Sequence, residues 1–156
     1  MEERLLRLPI AAVSGPMKRE VVLAEMTRQD GEYVIGSIPG FAYDVALDDI
    51  VRIVDPNSGR FEVVSRSGQV SIRVFIEGPL DRSDVHAVID AVLSENGKYE
   101  VGKNSEDASL LLLSLHIGLG LDKIKSIMNL VVGPAVQWEF GNVYDDHGNF
   151  TNWWAH

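Results

Sequence analysis

Four side chains close to the end of the chain are of the types that hold divalent metal ions: Asp145, Asp146 and His147 in succession, with His156 nearby. Carboxylate and imidazole donors suit several such ions, but Asp145 to Gly148 also reads as an ordinary acidic turn, and no metal site is expected. His86 and Asp90 stand i, i+4 on a predicted helix, away from its apolar stripe; a surface hydrogen bond accounts for them better than a catalytic dyad. Gly118-Leu119-Gly120 precedes a predicted helix, the place where backbone N–H groups can cradle phosphate. Here the dinucleotide fingerprint is absent, no Walker lysine follows, and Asp122 brings a negative charge to the opening, so a tight turn is the better account. His116 closes an apolar strand and reads as a satisfied, partly buried histidine. There is no cysteine, which excludes disulfides, thiolate nucleophiles and cysteine zinc sites. No Ser-His-Asp order, paired-carboxylate cleft or nucleophile elbow is discernible. The expectation is therefore a chain with no catalytic, cofactor or metal residues, and not an enzyme.

Binding chemistry remains. The 156 residues carry a formal net charge of −9, and acids exceed bases in both halves, more so in the second. Such a surface repels phosphate backbones and anionic membranes, so neither nucleic acid nor membrane is an expected partner. No run of about 18 apolar residues is present, so no membrane span is expected. The start, Met1-Glu2-Glu3-Arg4, puts acids where a secretory signal needs bases, and cytoplasm is the default location. An acidic surface suits a basic protein partner. The candidate contact residues are the acidic corner Asp48-Asp49, Asp145-Asp146, and the aromatic pair Trp153-Trp154, although an exposed tryptophan pair is an aggregation liability and docking of the tail on its own domain is the favoured account of that pair.

The elements that must position these groups fall into two sets. Met1–Pro16 is an arm without a clean apolar period. Strands are expected at Glu20–Met26, Glu32–Ile35, Ile50–Val54 and Phe61–Ser65, separated by Gln29-Asp30-Gly31 and by Asp55-Pro56-Asn57-Ser58-Gly59. This half, residues 17–69, is a β-meander or small barrel. Within it, Ser37 to Val54 turns at Pro39-Gly40 and delivers Phe41 and Tyr43 side by side. Both are expected to be buried, pinning the meander to the rest of the chain.

Residues 70–144 change period. Val70, Ile72, Val74 and Ile76 alternate as a strand. A helix capped by Asp81 or Ser83 carries apolar residues at 85, 88, 89, 92 and 93, one helical stripe. Tyr99 and Val101 mark a short strand, Lys103 to Asp107 a polar turn, and Leu110–Ile117 a central strand apolar on both faces. A second helix, capped by Asp122, repeats the stripe at 124, 127, 128, 131 and 132, and Val136, Trp138 and Phe140 make a last strand. The order is βαββαβ, the ferredoxin-like pattern, so the fold class is α+β: a barrel-like half followed by a ferredoxin-like half. In that pattern both helices cover one sheet face. Phe75 and alternate leucines point to the other, which needs the meander or a second subunit as its cover. Residues 145–156 form an aromatic tail.

The segment Gly31-Glu-Tyr-Val-Ile-Gly-Ser-Ile-Pro-Gly-Phe-Ala-Tyr43, then Leu47-Asp-Asp-Ile-Val51, then Val64-Ser-Arg-Ser-Gly-Gln-Val-Ser-Ile-Arg-Val74 resembles a bacterial family known as a domain of unknown function, DUF4265. The resemblance spans roughly Glu20 to Tyr144 and is most distinctive in the Ile-Pro-x-Phe-Ala-Tyr element. That family often carries His after the Ser-Gly pair, where this chain has Gln69. The resemblance implies a shared fold and supplies no activity. Two function classes follow from the residues themselves. One is a non-enzymatic acidic module that binds another protein, for example an immunity-type protein that neutralises a basic toxin. The other is a small-ligand sensing or regulatory domain of ferredoxin-like type, in which a homodimer could form the site.

Overall fold

A computed structural model describes residues 6–12, 19–131, 133–145 and 147–155. The first sheet is an antiparallel meander of five strands in sequence order: β1 (Leu6–Ala11), β2 (Arg19–Met26), β3 (Glu32–Ile35), β4 (Ile50–Asp55) and β5 (Arg60–Ser65). Its two outer strands approach each other, and Ala11 donates its N–H to the Gly59 carbonyl at 2.9 Å. Gly59 sits at φ +77°, and a Cβ there would stand 3.0 Å from the backbone of Ile10 and Ala11. Only glycine permits that approach. The curled sheet encloses Ile10, Val22, Ile35 and Val51, with Ala42 and Val45 entering from the β3–β4 connection.

β1 lies inside the stretch read as an arm without a period. Leu8 and Ile10 do alternate inward, but Pro9 interrupts the pattern on paper. Pro9 is tolerated because β1 is an edge strand, where a missing N–H costs no ladder bond, and its side faces out.

The second sheet has the strand order β7-β8-β6-β9, where β6 is Gln69–Glu77, β7 is Lys98–Lys103, β8 is Ala108–His116 and β9 is Val136–Phe140. Every neighbouring pair is antiparallel. Two helices, α1 (Ser83–Ser94) and α2 (Leu121–Met128), pack on one face. Val85, Val88 and Val92 from α1 and Ile124, Ile127 and Met128 from α2 join Val70, Ile72, Val74, Leu111, Leu113 and Leu115 in one core. Each such side chain contributes about 1.5–3 kcal/mol on burial, so the two stripes are the main attachment of the helices. The molecule is thus a mixed α+β structure, mostly strand, with two antiparallel sheets and two helices. Among the described residues no helix is long and apolar enough to cross a membrane.

The helix ends differ from expectation. α1 begins at Ser83 after Arg82 and ends where Asn96 turns left-handed at φ +60°, with Gly97 N–H reaching the Val92 carbonyl. Leu93, read as part of the stripe, is 49% exposed. α2 stops at Met128, four residues before the stripe ends on paper. Val131 still packs on the core from non-helical chain, so the burial pattern outlasts the helix; residue 132 lies outside the described residues. Asp122 is not the cap. Gly120 holds that position, and Asp122 falls in the first turn, where its charge suits the helix N-terminus.

Candidate functional site: the groove where the sheets meet

The non-helical face of the second sheet presents Ser71, Arg73 and Phe75 from β6 opposite Ser114, Leu112 and Leu110 from β8. Residues 36–49, between β3 and β4, lie over part of this face. Ile38 and Leu47 pack on Leu112, while Ala42 and Val45 turn the other way into the first core. The cover sought for this face is therefore mainly one connecting loop, wedged between the two sheets.

Carboxylates from both sides fix that loop. One oxygen of Glu20, on β2, accepts the Gly40 N–H at 2.6 Å, and the other accepts those of Phe41 and Ala42 at 3.0 and 2.9 Å. Glu100, on β7, accepts the Ile38 N–H at 2.8 Å. Charge-assisted bonds of this kind are roughly twice as strong as neutral ones. Beneath the loop, Arg73 is 2% exposed. Its guanidinium stacks on the Tyr43 ring at 4.6 Å, donates through Nη2 to the Ala42 carbonyl and lies 3.7 Å from Glu139. The Tyr43 hydroxyl donates to that same Glu139 carboxylate at 3.0 Å. Burial lowers the Arg73 pKa, offset in part by Glu139 and Tyr43. Burial followed by the Glu139 bond raises that of Tyr43. Arg73 Nε has no hydrogen-bond partner, so the arrangement joins loop to sheet more than it satisfies the cation.

Asp49 completes the bracing. Its carboxylate accepts from the Ala46 N–H, the Ser67 N–H and the Ser67 hydroxyl, at 3.0, 2.8 and 3.0 Å. Burial raises its pKa to about 6, against the lowering effect of the Ser67 and Ala46 bonds and of Arg66. At 1% exposure Asp49 offers nothing to a partner, which corrects its place among the contact candidates. Asp48, next to it, is exposed at φ +68°. Asp145 spends its carboxylate inside its own turn, on the N–H groups of His147 and Asn149, and those bonds, that of Asn149 foremost, lower its pKa. Asp146 and His156 lie outside the described residues. Among the described residues, no group of three His, Asp or Glu side chains is placed to hold a metal ion.

The tryptophans also turn inward. Trp153 and Trp154 are half-buried against the second core. Trp153 donates its Nε1–H to the Asn142 carbonyl at 2.8 Å and carries the Arg66 guanidinium 5.5 Å above its ring. Arg66 pairs with Asp44 at 2.7 Å and approaches Asp49 to 3.9 Å. So Asp49 and Trp153 are brought together around one arginine.

Other sequence readings resolve similarly. His86 faces Asp81 at 3.2 Å, not Asp90. His116 is exposed, contrary to expectation, and its Nδ1 accepts the Gly118 N–H at 2.9 Å as the cap of a 3₁₀ turn, Ile117–Leu119.

What the loop leaves uncovered is a groove of about 580 Å³ between the end of the second sheet's open face and β2. Phe41 and Phe75, 53% and 40% exposed, stand on it with Val21 and Leu110. Phe41 was expected to be buried and is not: the Glu20 clamp orients the loop so that Ala42 enters the core and Phe41 faces outward. Sequence reasoning missed the groove because its walls come from β2, the loop, β6, β7 and β8. Phe75, on the open face of an alternating strand, was the one available signal.

A family model described as "Domain of unknown function (DUF4265)" matches residues 20–140. The chain is also similar to a solved structure described as "Novel crystal structure of a hypothetical protein from Neisseria gonorrhoeae". The two share 20% sequence identity with a TM-score of 0.62, covering 90% of this chain and 95% of that one, a likeness that shows the fold alone. No curated protein matches the chain.

Proposed function

The chain belongs to the DUF4265 family, and from that premise we propose that it acts by binding another protein at the groove between its sheets, without turning over a substrate. One observation carries this reading. Phe41 is 53% exposed on a loop whose three consecutive N–H groups are held by Glu20. An aromatic side chain presented on a braced backbone loses little further freedom on binding, which is what a binding hot spot requires. Phe75, Val21 and Leu110 extend the apolar surface around it. Two groups in the groove that could serve chemistry are engaged in holding backbone: Glu20 takes the loop N–H groups, and the Ser109 hydroxyl donates to the Gly78 carbonyl at 2.7 Å.

The net charge of −9 favours encounter with a partner of net positive charge, and immunity-type occlusion of a basic toxin is one form such binding would take. Asp48 remains available as part of an acidic approach surface. For the second half we propose the ferredoxin-like arrangement, supported by the strand order β7-β8-β6-β9 with both helices on one core. A second functional reading, small-ligand sensing, is favoured by the groove's volume, which falls in the range of ligand sites of about 300–1,000 Å³.

The test places a photocrosslinking phenylalanine analogue at position 41 in the source cell and, as control, at position 95. The protein captured at position 41 alone is then purified and its affinity measured. Tight binding to the wild-type chain that falls at least tenfold with Phe41→Ala is expected, an effect of about 1.4 kcal/mol or more. Equal binding to both, or turnover of a small substrate by the purified chain, would overturn the reading.

A further inference from the structure

Resting on that reading of the groove, we infer that its occupant is a protein segment joining an aromatic or large aliphatic side chain to a carboxylate, because a built-in bulge brings Lys103 to the face of the groove, which Arg19 also lines. The register of β7 carries the argument. Val101 pairs with Leu111, and Lys103 pairs with Leu110, so Gly102 is an extra residue in the strand. Leu111 belongs to the helix-covered core, whereas Leu110 sits opposite Phe75 on the open face. In an unbroken strand Gly102 would lie across from Leu110, and Lys103 would project to the helix side, since successive residues alternate faces. The bulge moves Lys103 to the groove face. Bulges commonly re-aim a side chain in this way. Gly102 suits the position because a Cβ there would press on the Leu110 side chain at 3.0 Å.

The charges of the groove then run against those of the molecule. Lys103 and Arg19 both line the groove. Arg19 is held by a bond from Nη1 to the neutral Asn57 carbonyl at 3.1 Å and makes no ion pair among the described residues. Glu20, the acid that lines the groove with them, has both oxygens occupied by loop N–H groups. Glu77 lines only the adjoining recess of about 260 Å³, which shares Phe75, Ala108 and Ser109 with the groove. Apolar floor and cationic walls together select an apolar side chain with an adjacent carboxylate, while the acidic remainder of the surface rejects segments that are acidic throughout. The continuity of groove and recess suits an extended peptide better than a compact small molecule.

Short random peptides displayed on phage and selected against the immobilised full chain provide the test, run in parallel on Phe41→Ala and Lys103→Glu. The wild-type chain should enrich peptides that place Phe, Trp, Leu or Met beside Asp or Glu. The best of them, resynthesised, should bind Lys103→Glu about tenfold more weakly or worse, with the thermal midpoint of this exposed-site variant unchanged. Deleting Gly102 should reproduce the loss by returning Lys103 to the other face. Peptides that depend on Phe41 but show no acidic preference, or that bind Lys103→Glu equally, would overturn the inference and leave the groove reading standing. Selection that yields no Phe41-dependent peptide would overturn both.

Discussion

Two aromatic segments of this chain, the loop bearing Phe41 and the tail bearing Trp153 and Trp154, meet opposite fates, and only the first departs from what its sequence suggests. The loop residue follows a strand and a Pro-Gly turn, and looks like core. The tail residues follow no period, and docking on their own domain is favoured over service to a partner. In the structure Phe41 is 53% exposed, whereas both tryptophans pack on the second core. The difference lies in the backbone. The loop has its N–H groups taken by Glu20, Glu100 and Asp49, and those bonds decide which of its side chains turn inward. The tail is held through its own side chains: Trp153 Nε1 on Asn142, and the Thr151 hydroxyl on the Val143 carbonyl at 2.9 Å. Apolar character states what a residue can do, and the fate of its neighbours' polar groups states what it does.

If carboxylates set the loop, removing one should be the most damaging change. Glu20→Ala leaves three N–H groups without their acceptor, and urea denaturation should show a loss of about 3–5 kcal/mol. A loss under about 1 kcal/mol would mean that the loop holds itself and the comparison fails.

Asp49 gives the next effect, and its sign is fixed. Its folded pKa, about 6, lies above the ordinary 3.8, so between those values the native state binds more protons than the unfolded one. Its contribution is therefore full below about pH 4 and is lost as pH rises to about 6, a span on the order of 3 kcal/mol. Stability measured from pH 4 to 7 in wild type and Asp49→Asn isolates it from the other carboxylates. The difference, wild type minus variant, should decline across that window and level off above it. A flat difference would place the carboxylate in a better-solvated site.

On the tail side, Trp153→Ala should cost about 2 kcal/mol, less than a fully buried tryptophan because the ring is only half-buried. The same substitution should free Arg66 from its ring contact while sparing the Arg66–Asp44 pair. Unchanged stability would favour the partner-binding alternative for the tail over docking on its own domain.

Much of the architecture was legible. The stripes Val85/Val88/Val92 and Ile124/Ile127/Met128 and the alternation of β6 are periodic, and periodicity is set by the same burial it reports. The turns at Gly31, Gly59 and Asn96 follow from local backbone preference. The candidate site was not legible, for two physical reasons. The loop's conformation is imposed by Glu20 and Glu100, distant in sequence and unmarked by any motif. Lys103 was read as the start of a turn, whereas it closes β7 on the face to which one inserted glycine turns it. Gly102 between Val101 and Lys103 was the available sign of a bulge. Asp49 shows the converse error: a charged residue at a corner reads as surface unless its hydrogen-bond partners, here Ala46 and Ser67, are known.

The most direct test of the outward placement of Phe41 is the unfolding free energy of Phe41→Ala against wild type. A side chain that stands on the groove, with its loop held by Glu20, should be removable within about 0.5 kcal/mol. A loss of about 3 kcal/mol or more, the cost of emptying a buried aromatic site, would contradict this account and return Phe41 to the core.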